Sequence, residues 1–266
     1  MNAKRPIPAL EGDALRAVRH RGSHMQIIAC AGSGKTEVVA QRVADLLADG
    51  ADARSIIAFT FTERAAEELK ARISARVEQR LGIASLDKLG AAFVGTIHAY
   101  CFRFLQQYVP AYETYDVLDE RRLTAFLCRV ERQLGLRSLT GRQFSSIKSF
   151  LANLDVVENE LLALESLDDP FGGMVLRFYE LLDQFRLLTY GQLIARAVEE
   201  LSRPGVRRAV QGTLRYLIVD EYQDVNPAQE KLISLLADGG QTELCVVGDD
   251  DQAIYQWRGS DVQNIV

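Results

Sequence analysis

The feature that most limits what this chain can fold into is Ala31-Gly32-Ser33-Gly34-Lys35-Thr36, set between an apolar run and a helical pattern. Gln26-Ile27-Ile28-Ala29-Cys30 reads as a buried strand, and a helix is predicted from Lys35 to about Ala48. A triphosphate needs many N–H donors converging on its oxygens. Only a glycine-rich turn lets the backbone come that close, and the helix N-terminus behind it adds its dipole. In that setting Lys35 would reach the β- and γ-phosphates and the Thr36 hydroxyl would hold Mg²⁺. The first glycine of the strict pattern is replaced by Ala29. The competing reading is a flexible turn that merely precedes Lys-Thr; the flanking strand and helix argue against it.

The rest of the chain repeats the same alternation at both ends. Ser55–Phe59 and Phe93–Thr96 read as strands, with a charged amphipathic helix from Glu63 to about Leu81 between them and another helix opening at His98. Strand, helix and strand at this spacing imply a parallel sheet. From about Pro110 to Arg203 the strand signal fades. Leu123, Phe126, Leu127, Val130 and Leu134 fall at helical spacing, as do Val175, Phe178, Leu181, Leu182 and Phe185. Strand character returns at Leu214–Val219 and Glu243–Val247, around a helix opened by Pro227. The expected fold is therefore α/β, a P-loop parallel sheet with an inserted all-helical subdomain. Its parts are residues 1–109, the insertion 110–203, and 204–266.

The second half of a phosphoryl-transfer site follows the insertion. Leu217-Ile218-Val219-Asp220-Glu221 is an apolar strand ending in two acids, at the edge where open parallel sheets bind ligands. Mg²⁺ wants a carboxylate and a hydrolytic water wants a base, so Asp220 is the candidate metal ligand and Glu221 the candidate base. An acidic strand end alone is commonly a solvated turn. Paired with Lys35 and Thr36 it points to a nucleoside triphosphatase.

The surrounding residues specify the type. AGSGKT, AFTFTERAAEELKARI (58–73), GTIHAYC (95–101), VDEYQDVNPAQ (219–229) and VGDDDQAIYQWRGSD (247–261) occur in this order. Together they resemble the N-terminal motifs of UvrD/Rep-type superfamily-1 DNA helicases, whose first motor domain is RecA-like. The resemblance covers the chain apart from the insertion, where only helical character matches. It implies an ATP and Mg²⁺ site built from Ala31, Gly32, Ser33, Gly34, Lys35, Thr36, Asp220 and Glu221. It implies that Gln252 contacts the γ-phosphate and couples it to DNA, with Gln223 and Asp224 nearby. It also implies a single-strand path lined by Phe61, Thr96, His98, Tyr255 and Trp257, with Arg258 as a phosphate contact. Stacking on aromatic faces tolerates any base, which suits a motor that steps along every sequence. The family moves 3′→5′ on single-stranded DNA and serves repair or replication restart.

Two departures matter. Upstream of the phosphate loop the family carries an adenine-reading glutamine; here the stretch is Leu10-Glu11-Gly12-Asp13-Ala14-Leu15-Arg16-Ala17-Val18, with Ala14 in that place. Alanine has no amide, so discrimination of ATP from GTP is expected to weaken. The sequence also ends at Val266, before the second motor domain and the arginine fingers that the family supplies, a contribution of order 10³–10⁵ in rate. Alone, the chain is expected to bind nucleotide weakly, to hydrolyse little and to unwind nothing.

Charge sharpens the partner assignment. The 266 residues carry 31 Lys+Arg against 36 Asp+Glu, a net −5, which by itself disfavours nucleic acid. Yet between Glu120 and Ser149 seven basic residues (Arg121, Arg122, Arg129, Arg132, Arg137, Arg142 and Lys148) face only Glu120 and Glu131. That stretch is a candidate for strand–duplex junctions, against the plainer reading of solvated helix faces. No apolar run approaches the ~20 residues of a membrane helix. Four scattered cysteines fit reduced thiols in a cytoplasmic protein. The rival from another class is a non-catalytic nucleotide- or DNA-binding module that regulates a partner. A P-loop phosphotransferase is disfavoured, having no need of FTERAAEEL or QAIYQWRG.

Overall fold

The computed structural model describes residues 8–30, 32–239 and 241–249. Seven strands and twelve helices are numbered in chain order among them. The strands are β1 Met25–Ile28, β2 Ile56–Thr60, β3 Phe93–Thr96, β4 Asp116–Val117, β5 Leu187–Leu188, β6 Tyr216–Val219 and β7 Glu243–Gly248. The first helices are α1 Gly12–Arg19, α2 Lys35–Ala48, α3 Glu63–Leu81, α4 Ser85–Leu89, α5 Ile97–Tyr108 and α6 Glu120–Leu134. They are followed by α7 Arg137–Thr140, α8 Gln143–Asn159, α9 Phe171–Gln184, α10 Tyr190–Ser202, α11 Pro204–Gln211 and α12 Pro227–Ala237.

Five strands form one parallel sheet in the order β1-β7-β6-β2-β3. The inner strands β2 and β6 are buried on both faces, while the edge strand β1 exposes Gln26 and Ile28, and the period of two sorts the side chains. Ile56, Ala58, Ile218, Cys245 and Val247 pack with Val39, Val43, Leu69, Ile73 and Val77 of α2 and α3. Ile57, Phe59, Leu217 and Val219 point the other way, into α5, α10, α11 and α12. A third core, separate from the sheet, gathers Leu118, Leu127, Leu134, Phe150, Leu154, Phe178 and Leu182 from the inserted helices.

Local chemistry sets the helix starts. Thr62, Thr96 and Asp119 accept a backbone N–H as N-caps of α3, α5 and α6. Thr189 with Gln192 and Asn226 with Gln229 form full capping boxes on α10 and α12. Arg42 is buried where α1, α2 and β7 meet; it donates to the carbonyls of Ala17 (2.8 Å) and His20 (2.7 Å) and lies 3.6 Å from Glu243.

The structure agrees with the α/β reading and adds detail within the insertion. β4 and β5 make a two-residue parallel pair, too short to leave a period in the sequence. Helix α10 falls inside 110–203 in the sequence. Its Leu193, Ile194, Ala197 and Leu201 nevertheless belong to the sheet's core, although α10 also touches α8 of the insertion. The four cysteines are unpaired.

Candidate nucleotide and strand site

Because every strand of the sheet is parallel, the C-terminal ends of all five lie on one edge. The strand order lays the predicted groups along it. The phosphate loop follows β1, Asp249 follows β7, Asp220 and Glu221 follow β6, Phe61 follows β2, and Thr96 ends β3. Adjacent strands are about 4.8 Å apart, so nucleotide and strand candidates occupy neighbouring halves of one rim.

In the loop, Gly32 and Gly34 hold φ of 76° and 91°, a region that other residues reach only with strain. Gly34 is the N-cap of α2, and its carbonyl accepts from the amides of Glu37 (2.9 Å) and Val38 (3.1 Å). Lys35 opens the helix and turns its ammonium back over the loop. Its Nζ donates to the Ala29 carbonyl at 2.7 Å and stands 3.5 Å from Oδ2 of Asp249. Thr36 is half-buried beside it.

Asp220 is carried to the rim by β6, its amide donating to the Phe59 carbonyl of β2 at 3.0 Å. It is buried, and desolvation with the neighbouring charge of Glu221 pushes its carboxyl up to about 6, against a smaller lowering by Lys35. Glu221 adopts φ 54°, ψ 45°, a left-handed conformation for a residue with a Cβ. Such strain costs about 1–2 kcal/mol. Gln223 holds the side chain: Nε2 donates to Glu221 Oε2 at 2.8 Å, and the Gln223 side-chain oxygen accepts the Asp249 amide at 3.1 Å. Asp224 is buried with Oδ1 lacking a hydrogen-bond partner among the described residues, and desolvation and Glu221 raise its carboxyl to about 6.

On the other half of the rim, Phe61 is half-buried in the turn before α3. Thr96 is buried; its hydroxyl donates to Glu63 Oε1 at 2.8 Å and accepts the Ala99 amide at 3.2 Å. His98 is half-buried, its ring edge-on to the exposed Tyr190 with centroids 5.5 Å apart. Ala31, Gln252, Tyr255, Trp257 and Arg258 lie outside the described residues. Ala14 sits half-buried on α1, and Tyr222 is part of the core beneath the rim.

Among the inserted basic residues, Arg122 pairs with Asp116 (2.7 Å) and Arg137 with Glu131 (2.9 Å). Arg121, Arg129, Arg132, Arg142 and Lys148 are exposed and make no ion pair among the described residues. Three contributors were not picked out by the sequence reasoning: Glu63 as partner of Thr96, Asp249 as partner of Lys35, and Gln223 as a clamp rather than a neighbour. All three stand inside motif strings already recognised, but only the strand order tells which of them meet.

A parallel sheet covered by helices on both faces, a glycine turn opening a helix and an acidic strand end on the same rim define a P-loop nucleotide-binding domain. The chain belongs to the UvrD/REP helicase N-terminal domain family, whose model matches residues 10–266. It is 33% identical over 263 residues to the ATP-dependent DNA helicase PcrA of Bacillus subtilis (strain 168), covering 94% of this chain and 34% of that protein. It is 34% identical over 281 residues to the ATP-dependent DNA helicase UvrD1 of Mycobacterium tuberculosis (strain ATCC 25618 / H37Rv), covering 97% of this chain and 35% of that one. The chain thus spans about a third of the length of the curated relatives it matches. No helix among the described residues is long and apolar enough to cross a membrane.

Proposed function

We propose that this chain supplies the ATP- and DNA-binding N-terminal region of a cytoplasmic 3′→5′ helicase that moves on single-stranded DNA, in repair or replication restart. The observation that carries the reading is the shared rim: Lys35, Asp220 and Glu221 stand beside Phe61 and Thr96 on one sheet edge, with Gln223 tying β6 to β7 within the nucleotide half.

Gly32, Ser33, Gly34 and Lys35 bind the phosphates, together with Ala31. The residues present suit a divalent cation as well: Asp220 is a buried carboxylate raised by desolvation, and Asp224 keeps an unpaired buried oxygen. Thr36 and Asp220 would hold Mg²⁺, which when bound offsets negative charge on the phosphate oxygens. Glu221 acts as the base that orients and deprotonates the attacking water. Gln252 reports the γ-phosphate to a strand lying along Phe61, His98, Tyr255 and Trp257, with Arg258 on its backbone. Since the Thr96 hydroxyl is engaged within the fold, Thr96 serves the strand path by fixing Glu63 and the start of α5.

This reading divides the chain into motor 1–109, insertion 110–203 and motor 204–266. The packing of α10 on the sheet supports moving the second boundary back to about residue 189. In this reading the second wall of the nucleotide cleft comes from a further motor domain.

The unpaired arginines of α6 support a junction-facing role for the insertion. Anisotropy with a labelled tailed duplex tests it. Arg129→Glu with Arg132→Glu should weaken binding about tenfold or more and flatten its salt dependence by nearly one unit of slope per lost phosphate contact. Unchanged affinity and slope would remove the junction-facing role of the insertion.

A further inference from the structure

One cavity among the described residues has no part in the rim. It has a volume of about 670 Å³ and opens at the N-terminal ends of β2, β3 and β6, where Ile56, Phe93 and Tyr216 begin their strands. Strands of four or five residues at about 3.3 Å each separate it from the phosphate loop's edge by roughly 13–17 Å. Its volume falls within the range of small-molecule sites, about 300–1,000 Å³.

The lining is basic. Arg54, Arg103 and Arg215 contribute three guanidinium groups and Asp52 the one carboxylate, in a chain whose overall charge is negative. The three arginines are held differently. Arg54 is anchored by Asp52, with its Nη2 2.7 Å from Oδ2. Arg215 is fixed by donating to the carbonyls of Gln211, Leu214 and Gly212 around the end of α11. Arg103 lies over the Phe93 ring, 5.8 Å from its centroid, and makes no hydrogen bond or ion pair among the described residues. Its planar fork is therefore oriented by stacking and left with its donors available, the arrangement that suits bidentate capture of an oxyanion. Tyr108 and Gln107 add polar groups beside it, and Ala91 and Val210 an apolar wall.

We propose that this cavity is a second, P-loop-independent anion site that takes a small phosphorylated molecule, its phosphate groups held by Arg103 and Arg54 with Arg215 as a fixed positive floor. The proposal does not depend on the nucleotide reading of the rim. A site here would let a phosphorylated metabolite bear on the sheet from the edge opposite to ATP.

The test uses the whole chain carrying Lys35→Ala, so that phosphate capture at the glycine loop is removed. Inorganic pyrophosphate is titrated by isothermal calorimetry against sodium chloride of matched ionic strength, and the unfolding temperature is followed in parallel. The expected result is saturable binding with a raised unfolding temperature. Arg103→Gln should weaken it roughly 10- to 100-fold, as expected for a charge-assisted hydrogen-bond pair, and Arg54→Gln should weaken it further. Arg177→Gln, at an exposed arginine of α9 that does not line the cavity, should leave it unchanged. Both cavity substitutions are at exposed positions, and unfolding curves without ligand check that each variant folds. The site is refuted if chloride reproduces the effect, or if pyrophosphate binding is indifferent to Arg103 and Arg54. Saturable binding of a polyglutamate peptide with none of pyrophosphate would also refute it, by making the cavity a protein-docking surface.

Discussion

Gln223 grips Glu221 with its amide nitrogen, 2.8 Å from Oε2, while its other end receives the Asp249 amide at 3.1 Å. One buried side chain thus fixes the candidate base, held in a left-handed backbone, to the end of the neighbouring strand β7. Gln223→Leu leaves the buried Asp249 N–H without its partner and frees the Glu221 carboxylate. Loss of about 1–3 kcal/mol of stability is expected in urea unfolding. A change below about 0.5 kcal/mol would mean that the clamp holds nothing, since that is the ordinary range of surface substitutions.

Thr96 offers a second check on how the rim is braced. Its hydroxyl caps α5 and donates to Glu63 at once. Thr96→Val keeps the shape and removes both bonds, and should cost about 1–2 kcal/mol. Thr96→Ser restores both and should return most of that stability. Equal losses in the two variants would place the effect in packing of the methyl group.

Stability should also depend on pH through Glu158 of α8. The side chain is buried, accepting from Thr189 Oγ1 at 2.8 Å and Tyr179 Oη at 3.3 Å, with Asp155 adding negative charge from its own helix. Desolvation pushes its carboxyl up from 4.5 to about 7. Below about pH 4.5 the folded and unfolded chains both hold the proton and nothing is lost. Between 4.5 and 7 the unfolded chain ionises first, so the folded state loses stability as pH rises, and above 7 the full penalty remains. That penalty is about 3 kcal/mol. Glu158→Gln keeps an acceptor for both hydroxyls. It should be more stable than wild type at pH 8 by up to that amount, with the difference vanishing near pH 4. A difference that does not vary with pH would contradict the assignment.

Nucleotide choice is expected to be loose. Ala14 on α1 stands where the family resemblance places an adenine-reading glutamine, and it carries no donor or acceptor in its side chain. GTP should displace a labelled ATP analogue within a few-fold of the concentration at which ATP does. A preference for ATP beyond about a hundredfold would show that another group reads the base.

Much of this rim was legible beforehand because its signals are local. The glycine turn and the apolar runs act within a few residues. The observed α2 and α3 accordingly begin at the residues that sequence spacing selects. What stayed hidden is what depends on strand order. Asp249 and Gln223 meet because β7 lies beside β6, and Glu63 meets Thr96 because β3 lies beside β2. No period in the chain encodes those neighbours. Helix α10 shows the same limit: its apolar stripe was readable, but a stripe does not say which core receives it. Arg42 escaped notice for a related reason, since a guanidinium buried by carbonyl acceptors looks in sequence like any helix-surface arginine.

On this proposal the rim binds a magnesium nucleotide through Lys35. Thermal unfolding of the chain in millimolar MgATP, with and without a chelator, measures this directly. At ten times the dissociation constant, ligand adds about 1.4 kcal/mol to folding. The expected result is a rise in unfolding temperature that requires Mg²⁺ and disappears in Lys35→Ala, provided that variant remains folded without ligand. A rise that persists in Lys35→Ala, or no rise at saturating MgATP, would contradict it.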